Sequence, residues 1–144
     1  MDYYQSVVAQ WLVSDGRTLL AEEYYLRTSH VTEFKHSDQE CLWPDMVAVR
    51  LNDKEVFLCE VTWSRGWSRI EEKLENYADR MPSIRESIEC WLGIPQDFEL
   101  RIWYFVPEGH IEKIKAKKPP GLKLDFTALE EIKPWTYTHG QRKA

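Results

Sequence analysis

A chain of 144 residues, 43% hydrophobic and 30% charged, can bury a sizeable core without disulfide or metal staples, which excludes a disordered body. Its net charge of −5 argues against a protein that coats nucleic acid by electrostatics alone. No apolar run is long enough to span a membrane, so no membrane partner is expected.

MDYYQSVVAQ opens the chain with an acid where a secretory signal would be basic, and Cys41, Cys59 and Cys90 show no CxxC spacing. Both features predict a soluble cytoplasmic protein with reduced thiols. From Tyr3 to Val13 the residues Val7, Val8, Trp11 and Leu12 recur at helical spacing and Gly16 offers a stop. RTLLAEEYYLRT then reads as extended, and SHVTEFKHSDQEC, polar and without period, as a loop or a loose strand extension. His30, His36 and Cys41 fall in or beside that loop at spacings that fit no tight zinc ligand pair.

MVAVRL and EVFLCEVTW, separated by Asn52, Asp53 and Lys54, predict a β-hairpin. Both runs are apolar at successive positions, so both faces need cover: central strands with helices on each side. Ser68 to Glu71 spells a capping box, after which Ile70, Leu74, Tyr77, Ala78 and Met81 line one helix face. Pro82 interrupts, and Ile84, Ile88, Trp91 and Leu92 resume the stripe up to Gly93, as one kinked helix or two short ones. FELRIWYFV predicts a strand ended by Pro107. A short helix through Ile111 and Ile114 follows, then the turn KPPG, a strand near Leu122 to Phe126, and a capped turn at Thr127 to Glu130. The basic run Lys113 to Lys118 reads as a solvated helix face. The expected class is therefore α/β, a central mixed sheet flanked by helices, in one domain over residues 1–136 with a frayed tail at 137–144.

The hairpin makes a geometric prediction. A turn centred on Asn52 and Asp53 sets Asp45 opposite Glu60, and one centred on Asp53 and Lys54 sets it opposite Thr62. In both registers Asp45 and Glu60 meet on one face, since Glu60 and Thr62 point the same way. Two carboxylates so placed repel unless they are solvated at a strand end or neutralised by a hard divalent cation such as Mg²⁺, which binds a couple of carboxylates and keeps waters for substrate phosphates.

Pro44-Asp45, the hairpin and Glu60-Val61-Thr62 together resemble the PD-(D/E)XK nuclease superfamily. The superfamily core is a helix, three strands, a helix and a further strand, similar in order to residues 3–106. The resemblance implies a restriction-endonuclease-like fold and a nuclease using Mg²⁺ or Mn²⁺ on nucleic acid, chiefly DNA. Asp45 and Glu60 would then ligate the metal, with Glu22, or Glu23, as a third acid. Thr62 stands where the family has a lysine; Lys73, from the following helix, is the candidate replacement. Arg65 and Arg69 are candidate phosphate contacts, and Trp63 and Trp67 flank the site where they can stack on bases or pack on the sheet. The alternative is a nuclease-like fold without cleavage, binding nucleic acid or a protein partner in a phage or defence setting.

Overall fold

A computed structural model describes residues 3–24, 26–27, 41–42, 44–63 and 67–132. The helix α1 spans Tyr3–Val13 and buries Val8, Ala9 and Leu12, the face that its sequence spacing predicts. Gly16, at φ +74°, lets the chain turn back toward the sheet. Strand β1, Leu19–Glu22, follows. The pair β2, Leu26–Arg27, and β3, Cys41–Leu42, forms a separate two-stranded ribbon. Residues 28–40, including His30 and His36, lie outside the described residues, as does the tail beyond Ile132.

The hairpin forms as expected: β4 is Met46–Arg50 and β5 is Glu55–Val61, antiparallel, with Met46 opposite Cys59 and Arg50 opposite Glu55. Its turn is centred on Asn52 and Asp53, the amide of Lys54 donating to the Leu51 carbonyl at 3.3 Å. The first of the two registers is therefore the one adopted.

After β5, α2 runs unbroken from Trp67 to Leu92, with Pro82 inside it and exposed. It resolves the choice between one helix and two. Its range starts at Trp67 and takes in Ser68 to Glu71. Ile70, Leu74, Tyr77, Ile84 and Ile88 are buried along one face, whereas Trp91, on the same spacing, is exposed. Periodicity tells where a side chain points, not whether anything lies there to cover it. Gly93, at φ +67°, ends the helix and donates its amide to the Glu89 carbonyl.

Strand β6, Glu99–Val106, then lies parallel to β5, and α3, Glu108–Ala116, leads to β7, Leu124–Ala128, parallel to β6. A 3₁₀ turn at Leu129–Glu131 closes the described chain. Thr127 does not cap that turn, because it belongs to β7 and its hydroxyl accepts the Trp103 indole N–H at 2.9 Å.

The product is an α/β fold with a five-stranded mixed sheet in the order β1-β4-β5-β6-β7 and three α-helices among the described residues. Strand alternation sends Val56, Leu58, Ile102 and Tyr104 to the face covered by α2 and α3. Phe57, Cys59, Trp103 and Phe105 go to the face covered by α1. The uninterrupted apolar runs of β4 and β5 are thus explained by cover on both sides.

Candidate functional site

On β5 the inward residues on the α2 side run Val56, Leu58, Glu60, an apolar stripe that turns acidic in its last position. Glu60 is 3% exposed. One step beyond the start of β4, the register places Asp45 across from it. The Asp45 carboxylate is held from both sides: Oδ2 accepts the Val61 amide at 2.7 Å and Oδ1 accepts the Gln5 amide, from α1, at 3.0 Å. Asp45 and Glu60 line one cavity of about 700 Å³ together with Gln5, Thr62, Trp63, Arg69, Lys73 and Tyr104.

The helix α2 supplies the counter-groups. Lys73 and Tyr77 are four residues apart and so share a helix face. Lys73 Nζ donates to Glu60 Oε2 at 2.7 Å, and the Tyr77 hydroxyl donates to Glu60 Oε1. Burial pushes the Glu60 carboxyl up to about 7; Asp45 adds to the rise, while Lys73 and the Tyr77 hydrogen bond oppose it. Near neutrality the Lys73 contact is therefore shared between an ion pair and a hydrogen bond to a neutral acid. Burial and the neighbouring Glu60 also raise the Tyr77 and Tyr104 hydroxyls above the ordinary phenol range, so both remain donors.

No family model, curated protein or solved structure matches the chain. The site is therefore read from its own geometry.

That geometry brings together Asp45, Glu60, Thr62, Lys73 and Arg69, all lining the cavity. It does not bring in the third acid. Glu22 pairs with Met46, whose neighbour across the hairpin is Cys59, so Glu22 lies on the α1 side of the sheet and is exposed. Glu23 is also exposed, in a left-handed bend at φ +53°, and its amide donates to the Asp45 carbonyl at 3.0 Å. Among the described residues no three of His, Cys, Asp and Glu gather as a metal-ligand group. Arg65 and the side chain of Trp67 lie outside the described residues.

Three contributors escaped the sequence reading. Gln5 was one polar residue of an amphipathic helix, and nothing local links it to an aspartate 40 positions away. In the sequence Tyr77 is one apolar member of a helix stripe, and its four-residue spacing from Lys73 is the available clue. Tyr104 sits beside Glu60 in the parallel β5–β6 register, and its buried hydroxyl meets no hydrogen-bond partner among the described residues. A buried hydroxyl left unsatisfied costs about 1–3 kcal/mol. A polar group entering the cavity would recover that cost.

Proposed function

We propose that the chain is a metal-dependent nuclease hydrolysing DNA phosphodiester bonds at Asp45, Glu60 and Lys73. One observation carries the reading: Lys73 Nζ stands 2.7 Å from Glu60 Oε2, so α2 brings to the carboxylates the ammonium that Thr62 lacks. The order α1, β1, β4, β5, α2, β6 supports it, since it follows the helix, three strands, helix and strand of the PD-(D/E)XK core, with β2 and β3 set apart as a ribbon.

The donor set suits a hard cation. Asp45 and Glu60 offer only oxygen, and each Asp45 carboxylate oxygen can accept a second bond beside the one described. A dication held there would favour the ionised form of Glu60 against burial and the Asp45 charge, which keep it partly protonated. Asp45 and Glu60 would hold Mg²⁺ or Mn²⁺, which would supply charge neutralisation and Lewis acidity there. Gln5 fixes the Asp45 rotamer through its amide, and Tyr77 orients Glu60. Lys73 maintains positive charge where negative charge would develop on a phosphodiester, with Arg69 at the cavity wall as a phosphate contact. Tyr104 offers its O–H to an oxygen of the entering phosphate.

A second reading, a binding module with this fold and no cleavage, is favoured by one observation: both Glu60 oxygens accept protein donors and no third acid joins them among the described residues. Incubating single- and double-stranded DNA with Mg²⁺ or Mn²⁺ separates the two. Cleavage by the wild type, reduced about 10²-fold or more in Asp45→Asn and Glu60→Gln, is the expected result. Binding without cleavage under either metal transfers the assignment to the second reading.

A further inference from the structure

Six large hydrophobic side chains are exposed among the described residues, and three of them form one row at the cavity mouth. Trp63 lines the cavity yet is 54% exposed. Its ring stacks on Tyr4 with centroids 5.6 Å apart and planes 22° apart, and Tyr3 meets Tyr4 edge-on at 5.5 Å. The row is held by the first turn of α1, next to Gln5, and by the residue two past the end of β5. The elements that carry the candidate site therefore also carry the rings.

Charge decides what such a surface can hold. The chain is net −5, and the cavity sets Lys73 and Arg69 against Asp45, Glu60 and Glu72. A duplex is gripped chiefly through phosphates and hides the faces of its bases, so this surface offers it little. An unpaired base presents a π-face that stacks on an aromatic ring whatever the base. It would bring its own phosphate to the mouth of a cavity containing the buried Tyr104 hydroxyl, which meets no partner among the described residues.

We infer that Trp63 and Tyr4 form a stacking platform for an unpaired nucleobase, and that the candidate site takes single-stranded nucleic acid. The placement of the phosphate rests on the nuclease reading; the platform itself does not. Binding measured without metal keeps the two apart. The probes are labelled thymidine and uridine strands of about twelve residues, an abasic strand with the same number of phosphates, and a duplex of equal length, followed by anisotropy in chelator. Either base-bearing strand should bind about tenfold or more tighter than the abasic strand and the duplex. Trp63→Ala should remove about tenfold of that affinity, and Trp63→Phe, which keeps a ring, should retain most of it. A deoxyuridine strand set beside the uridine strand identifies the sugar, since the two share one base. Equal binding of base-bearing and abasic strands, or full affinity in Trp63→Ala, overturns the platform. Base-dependent binding without any cleavage upholds the platform while the nuclease reading falls. Cleavage of duplex unaffected by Trp63→Ala does the reverse.

Discussion

At Glu60 burial and a neighbouring carboxylate work against ionisation, while Lys73 and Tyr77 work for it. The balance puts its folded value, about 7, above the ordinary 4.5. Between those values the folded chain holds more protons than the unfolded one, so stability falls as pH rises from about 4.5 to about 7 and levels off above. Glu60→Gln has no such proton to lose. Urea titrations at pH 5 and pH 8 without metal should show the wild type losing more stability across that interval than the variant; equal losses would contradict the assignment. Tyr104→Phe makes a complementary prediction. Because its hydroxyl meets no partner among the described residues, removing it should leave stability unchanged or raise it by up to about 1 kcal/mol. Cleavage should still fall several-fold if the hydroxyl meets the phosphate, and a stable variant with unchanged cleavage would remove Tyr104 from the site.

At the level of elements, α2 holds the candidate site and contains its most conspicuous local conflict. Pro82 has no amide to give the Ala78 carbonyl, yet the helix continues, because Ile70, Leu74 and Tyr77 before it and Ile84 and Ile88 after it bury on one core. Pro82→Ala should therefore raise stability by about 1 kcal/mol, the helical gain being partly offset by a freer unfolded chain. Leu58→Ala, in the centre of β5, should cost about 2–5 kcal/mol, and denaturant midpoints check both. The hairpin and its register were legible because the turn residues and the two apolar runs are local features. The third acid was not. LLAEEYY mixes apolar and charged side chains at successive positions, so the parity of β1 emerges only from its pairing with β4, which turns Glu22 away. Gln5 was hidden for a related reason: its partner is fixed by how α1 crosses the sheet end, and no sequence period records that. Lys73 was legible, since a helix following the motif packs over the face of the strand that carries Glu60.

Over the whole molecule, charge limits how nucleic acid can be held. The first 96 residues hold 17 acids against 10 bases and the last 48 hold 7 against 9, but the basic run there is partly spent in contacts at home. Lys115 meets Glu112 and the Phe126 ring, and Lys117 meets Glu71. With Lys73 and Arg69 as the cavity's cations among the described residues, the logarithm of strand affinity should fall with that of salt at a slope of only about −1 to −2. A slope of about −5 or steeper would reveal an extended phosphate track elsewhere. The central claim is that an ammonium from α2 replaces the one missing at Thr62, and a relocation test addresses it most directly. Metal-dependent cleavage of single-stranded DNA is compared for the wild type, Lys73→Ala, and Lys73→Ala combined with Thr62→Lys, with Asp45→Asn as the inactive control. Loss of about 10²-fold in Lys73→Ala, with about tenfold or more regained when Thr62→Lys is added, is the predicted result. Full cleavage in Lys73→Ala, or none in the wild type, would contradict it.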